Sequence, residues 1–146
     1  MESPHVPEAS EFRFRATLQT RWVDEDNQQV LNNAIYLTLL EEARLRYFRG
    51  LELMDGARFP FVLAQCNLRF LRPGCGGAEV VVAVRTTHLG SSSFSQSYRM
   101  GPQGEEPWAE AEALLVAWDN KARAKRPMTS AFRSAVARFE GLAESR

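Results

Sequence analysis

The chain has 146 residues, 45% of them apolar, which suffices for one domain with a sizeable core and is short for two. Lysine plus arginine and aspartate plus glutamate both number 18, so no global field draws the chain to nucleic acid or to an anionic membrane. Its start, Met1-Glu2-Ser3-Pro4-His5, lacks the basic and then apolar run of a signal peptide, and no window approaches the ~20 apolar residues that span a bilayer.

Residues 1–10 hold two prolines without periodicity and read as a loose tail, leaving residues 11–146 as a single domain. Over 12–22, Phe12, Phe14, Ala16, Leu18 and Trp22 alternate with Arg13, Arg15, Thr17, Gln19 and Arg21, the period-2 pattern of a strand with one buried face. Then comes a junction, Asp24-Glu25-Asp26 through Asn32-Asn33, that sets carboxylates between a strand and a helix start. The first turn of a helix offers unpaired N–H groups and a partial positive charge, and a carboxylate beside it supplies a nucleophile or base, a pairing suited to chemistry on a carbonyl.

The period changes over 33–49, where Tyr36, Leu39, Leu40, Ala43 and Tyr47 form one apolar stripe of a helix. Asn32 or Asn33 is a natural N-cap, Gly50 a natural left-handed residue past the end, and Glu42 with Arg46 an exposed ion pair. Four more strands are predicted at 61–70, 79–87, 93–100 and 108–119. Val80, Val82 and Val84 on one side of the second, with Val81 and Ala83 on the other, suggest a strand covered on both faces. In the last, Ala109, Ala111, Ala113, Leu115 and Ala117 share a face whose small side chains suggest close packing under a helix.

Turn formers gather at 73–77, 89–93 and 101–104, and turns this short imply antiparallel pairing. Phe132, Ala135, Val136 and Phe139 mark a short C-terminal helix, capped by Thr129 or Ser130 and closed by Gly141. One strand, one long helix and four antiparallel strands make an α+β pattern in which the sheet must wrap the helix. Cys66 and Cys75 are too few for a disulfide framework and read as free thiols, so a reducing, cytoplasmic setting is expected.

This order, with Asp24-Glu25-Asp26, Asn32-Asn33-Ala34-Ile35-Tyr36, Glu41-Glu42-Ala43-Arg44, Leu68-Arg69-Phe70-Leu71-Arg72-Pro73-Gly74 and Leu89-Gly90-Ser91-Ser92-Ser93-Phe94, resembles the hotdog-fold acyl-CoA thioesterases of the 4-hydroxybenzoyl-CoA thioesterase family. The likeness runs over residues 12–141. It implies a hotdog fold, a curled antiparallel sheet of about five strands around one long helix, and hydrolysis of an acyl-CoA or acyl-carrier thioester. Asp26 is then the catalytic carboxylate, as nucleophile or general base, and the backbone N–H of Asn33, or of a near neighbour at the helix start, polarises the thioester carbonyl. Asn32 is a cap and a candidate substrate contact, Asp24 a structural acid, and Tyr36 a core residue. One departure stands out: many members carry Gly-His where this chain has Gln29-Val30.

Coenzyme A enters as part of the substrate, and no further cofactor is expected. Its phosphates would meet Arg72 or others among Arg69, Lys121, Arg123, Lys125 and Arg126, and Ser91, Ser92 and Ser93 could donate along the pantetheine arm. The basic run at 121–126 is a poor case for nucleic acid without an aromatic stacking strip. Two cysteines nine apart make no metal pattern, and neither His5 nor His88 lies near the Asp26 junction in sequence. The likeness also implies a homodimer or homotetramer with the site at the subunit seam. The alternative to a hydrolase is a weak or inactive hotdog protein that binds an acyl thioester or a protein partner, whereas a hotdog dehydratase is disfavoured for want of a histidine.

Overall fold

The computed structural model describes residues 11–143, so the tail at 1–10 lies outside the described residues. The elements run β1 (Phe14–Gln19), a 3-10 turn (Trp22–Asp24), α1 (Asn33–Gly50), β2 (Phe61–Phe70), β3 (Glu79–Leu89), β4 (Ser93–Gly101), β5 (Ala109–Asp119), β6 (Ala124–Lys125) and α2 (Ser130–Glu140). The strands form one antiparallel sheet in the order β1-β3-β4-β5-β2, with the two-residue β6 paired to β5. The sheet is curled about α1, the α+β hotdog architecture.

Period decides which side faces the helix. Phe14, Ala16 and Leu18 of β1 lie opposite Val84, Val82 and Val80 of β3, and those valines are fully buried. Phe94, Gln96, Tyr98 and Met100 of β4 continue that inner face, matched by Leu115, Ala113, Ala111 and Ala109 of β5. Helix α1 lies over β1 and β3, and α2 lies over β3. Phe48 of α1 packs against Phe61, Phe94 and Phe132, drawing β2, β4 and α2 into one core.

Both helices start on side-chain caps: Asn32 Oδ1 accepts from the Ala34 N–H at 2.9 Å, and Thr129 Oγ1 from the Phe132 N–H at 3.1 Å. Gly141 ends α2 at φ 69, as its position predicts. Gly50 does not end α1. It is the last helical residue, and the left-handed conformation falls to Glu52 at φ 59.

Trp22 is a second correction. The strand stops at Gln19 and the chain tightens into the 3-10 turn, so the period-2 alternation breaks and Trp22 is 76% exposed rather than buried. Its indole instead covers Gly77, where an added Cβ would sit 2.9 Å from the ring.

A chain of buried polar groups crosses the interior. Arg44 Nε donates to the Tyr98 hydroxyl, which donates to Gln96 Oε1; Gln96 Nε2 donates to Thr86 Oγ1, which shares a hydrogen bond with the Tyr47 hydroxyl. The chain ends on Glu140 of α2, whose Oε2 accepts from the Tyr47 hydroxyl at 2.7 Å and from the Thr86 N–H at 2.8 Å. Among the described residues no helix is long and apolar enough to cross a membrane.

Candidate active site

Between the 3-10 turn and α1 the chain makes a small hairpin, with Glu25 bridged to Leu31. The Asp26 N–H donates to Val30 O at 2.8 Å and the Gln29 N–H to Asp26 O at 3.0 Å, which forces Gln29 to φ 61. Such a bend favours glycine, since a Cβ crowds the following carbonyl there. Here the left-handed position is filled by Gln29, and the hairpin closes without a glycine.

Three acids on this segment have three different partners. Asp24 is buried and its carboxylate accepts from the backbone N–H, Nε and Nη2 of Arg21 at 2.8–3.1 Å. The Arg21 hydrogen bonds hold its carboxyl below the usual carboxylate range against the opposing effect of burial. Its carbonyl also accepts the Asn32 N–H at 2.8 Å, so Asp24 fixes the hairpin's entry and its exit into the helix. Glu25 reaches across to accept the Gly76 N–H at 2.9 Å.

Asp26 is only half-buried. Its Oδ1 accepts the Gln28 N–H at 2.7 Å within the turn, and Oδ2 has no partner among the described residues. It does not cap the helix, because Asn32 does. At the mouth of α1 the N–H of Ala34 is taken by Asn32 Oδ1 and that of Ile35 by Asn32 O, whereas the Asn33 N–H has no acceptor among the described residues.

The glycine-rich turn at 73–77 forms the other wall. Gly74 O accepts the Leu31 N–H at 2.9 Å, and the Thr20 hydroxyl donates to Cys75 O at 2.8 Å. A Cβ on Gly74 would stand 2.6 Å from the Trp108 ring and 3.0 Å from the Tyr36 hydroxyl, so only glycine fits. Tyr36 is buried, which pushes its hydroxyl up; the Gly74 N–H opposes that, and the nearby charges of Asp26 and Cys75 add to it. Tyr36 is therefore a core residue that also borders the Asp26 site, a placement that helical periodicity alone does not reveal.

Of the other expected contacts, Arg72 is exposed on the segment leading into this turn, its N–H bonded to Trp108 O. Ser91, Ser92 and Ser93 are elsewhere. They form the β3–β4 turn, at the opposite end of β3 from the Glu79 end beside β1, roughly 33 Å away at strand rise. The basic run at 121–126 joins them there, through the Met128 N–H on Ser91 O and the Arg126 N–H on Ala117 O. Arg69 is occupied by Glu112 at 2.8 Å and Glu110 at 3.7 Å. The chain thus holds Asp26, Asn32 and Asn33 on one hairpin-to-helix junction, sets Arg72 on the segment leading into the glycine-rich turn, and keeps Ser91–Ser93 apart from them.

A curled antiparallel sheet about one helix defines a class that comparison with known proteins names. The chain belongs to the thioesterase-like superfamily, which it matches over residues 20–136. It is similar to a thioesterase from Thermus thermophilus solved with coenzyme A and zinc, at 32% identity and TM-score 0.80 over 91% of this chain and 98% of that one. A thioesterase-superfamily protein from Jannaschia (21% identity, TM-score 0.80, covering 92% and 87%) has the same fold. So does a 1,4-dihydroxy-2-naphthoyl-CoA thioesterase from Synechocystis (18%, 0.75, 85% and 95%). No curated protein sequence matches the chain.

Proposed function

We propose that this protein hydrolyses acyl-CoA thioesters, as the 4-hydroxybenzoyl-CoA thioesterase family does, with Asp26 as nucleophile or general base and the Asn33 amide as oxyanion donor. The observation that carries this reading is the Asn33 N–H, left without an acceptor among the described residues at the positive end of α1, on the same hairpin-to-helix junction as the Asp26 carboxylate, whose Oδ2 has no partner among those residues. Attack on the thioester carbon, by Asp26 Oδ2 or by a water it deprotonates, moves an electron pair onto the carbonyl oxygen. The Asn33 N–H receives that charge. Collapse expels the CoA thiolate, and uptake of one water yields the free acid and CoA thiol.

A symmetric pairing of two copies would give the far placement of Ser91–Ser93 a role. Strand β2 is one of the two sheet edges; its Phe70 end lies toward the glycine-rich turn of the site and its Phe61 end at the serine and basic turns. If two copies pair their β2 edges antiparallel, each Phe61 end comes to lie beside the other's Phe70 end. That sets the partner's serines and its basic run near Asp26, where a CoA arm and phosphates would run.

The test is thiol release from a panel of short, long and aromatic acyl-CoAs. Asp26→Asn is expected to reduce turnover by about 10²-fold or more with the fold retained. Unchanged turnover in that variant removes Asp26 from the mechanism, and no turnover on any thioester by the wild type refutes the hydrolase. Sedimentation of a monomer at micromolar concentration refutes the paired arrangement.

A further inference from the structure

The outer side of the sheet, turned away from α1, carries a row of charges that is balanced at one end only. Strand pairing sets Arg15 of β1 opposite Ala83 of β3, Ala83 opposite Arg99 of β4, Arg99 opposite Glu110 of β5, and Glu110 opposite Arg69 of β2. At the β2 end the charges are matched, since Arg69 holds Glu112 through two hydrogen bonds at 2.8 and 2.9 Å. Glu110 is shared, 3.7 Å from Arg69 and 3.5 Å from Arg99, both long for a charged hydrogen bond. Toward β1 the row holds two arginines and no acid, with a methyl group between them.

The sheet is hollow at that gap. A cavity of about 460 Å³ opens over Ala83, lined by Arg15 and Arg99 and by Thr17, Val81 and Gly101 of the next row. Ala83 points outward, between the inward Val82 and Val84, and yet is 5% exposed, so the groups around it rise well above the sheet plane. Glu105 is the one acid on the lining among the described residues, and it is exposed.

The β4–β5 loop builds the wall. The Trp108 N–H donates to Met100 O at 2.8 Å, which folds the loop back on the end of β4, so closely that an added Cβ on Gly101 would stand 3.0 Å from Pro107 Cα. Pro102 and Pro107 of this loop give the cavity an apolar side that continues the apolar floor of Val81 and Ala83.

The two arginines are rooted two strand spacings apart, roughly 9–10 Å, so one small anion over the methyl is within reach of both. Like charges this close repel, and an anion between them removes that cost. A phosphate monoester carries close to two charges and three acceptor oxygens and can bond both guanidiniums at once, whereas a carboxylate is matched by one. The space extends past the anion position along the proline wall, and its size suits a small organic molecule rather than a bare ion.

We propose that this outer-face cavity binds a small organic phosphate monoester, with the phosphate between Arg15 and Arg99 and the body against Val81, Pro102 and Pro107. The site shares no residue with the Asp26 junction and does not depend on the thioesterase reading. Its ligand would brace the loop that runs into Trp108, whose ring packs on Gly74 of the glycine-rich turn.

The test is calorimetry of the full chain with phenyl phosphate at low ionic strength, where charge is least screened. Saturable binding is expected, at least about tenfold tighter than that of inorganic phosphate, which lacks the body, and phenol, which lacks the charge, is expected not to bind. Arg15→Gln and Arg99→Gln should each weaken phenyl phosphate about tenfold, and Arg72→Gln should leave it unchanged. Thr17→Glu sets a carboxylate into the cavity from an exposed position and should abolish binding, which decides the matter if Arg99→Gln fails to fold. The proposal is overturned by no saturable binding at millimolar phenyl phosphate, by inorganic phosphate bound as tightly, or by binding that survives Thr17→Glu and both arginine changes. Loss confined to Arg72→Gln assigns the phosphate to the coenzyme A arm and overturns it as well.

Discussion

Replacing Gln29 by glycine relieves a strain that the hairpin imposes on the backbone and on nothing else. Gln29 sits at φ 61 and is exposed; its N–H bond to Asp26 O at 3.0 Å is a main-chain contact that glycine keeps. A left-handed L-residue costs about 1–2 kcal/mol, and glycine returns roughly 0.5–1 kcal/mol of that as unfolded-chain entropy. Gln29→Gly is therefore expected to stabilise the protein by about 0.5–1 kcal/mol, a rise of roughly 2–4 °C in melting temperature for a chain of this length. The assay is urea unfolding and thermal melting of the variant against wild type, with Gln29→Ala as control, which keeps the Cβ and is expected to change little. A melting temperature that falls in Gln29→Gly, or rises equally in Gln29→Ala, refutes the strain argument.

Gly74→Ala is expected to cost about 1–3 kcal/mol in urea unfolding and to slow turnover, because its Cβ would meet the Trp108 ring at 2.6 Å and displace the turn that holds Leu31; a neutral variant refutes the close packing. Asp24 makes stability depend on acid. Its carboxyl is depressed in the folded state, chiefly by the Arg21 hydrogen bonds, so its contribution is complete above the unfolded value of about 3.9 and is lost as pH falls through the folded value. The melting-temperature gap between wild type and Asp24→Asn should hold from neutrality to about pH 5 and narrow below pH 4; a gap that widens in acid reverses the assigned direction.

Much of the fold was legible because each element has a clean period. The β1 alternation and the β5 alanines appear on the faces their spacing predicts, and both helices begin at capping residues read from sequence. Trp22 and Gly50 misled for local reasons: a strand pattern continues past the point where the chain tightens into a 3-10 turn, and a glycine is no signal when the next residues can leave the helix with Glu52 left-handed.

In the site, the junction motif was readable, and the exchange of Gly-His for Gln29-Val30 was visible without its backbone consequence. The contacts that cross from one loop to another were not. Nothing in the spacing of Gly74, Tyr36 and Trp108 reveals that they touch. The separation of Ser91–Ser93 from Asp26 follows from strand direction, which a list of motifs in order does not carry.

The sheet order also sets a sequence of events in folding. β3, β4 and β5 are joined by short turns and can zip locally, and β1 needs only β3. β2 precedes them in the chain yet pairs only with β5, the last of the three to be made, so its register waits until the meander has formed and a loop of some forty residues closes. During synthesis Phe61–Phe70, with Val62, Leu63 and Phe70 still substantially uncovered in the folded chain, is the strand whose partner is made last. Chaperone capture or co-translational aggregation would begin there, and the last edge to be built is also the first on which a misfolding chain would stick.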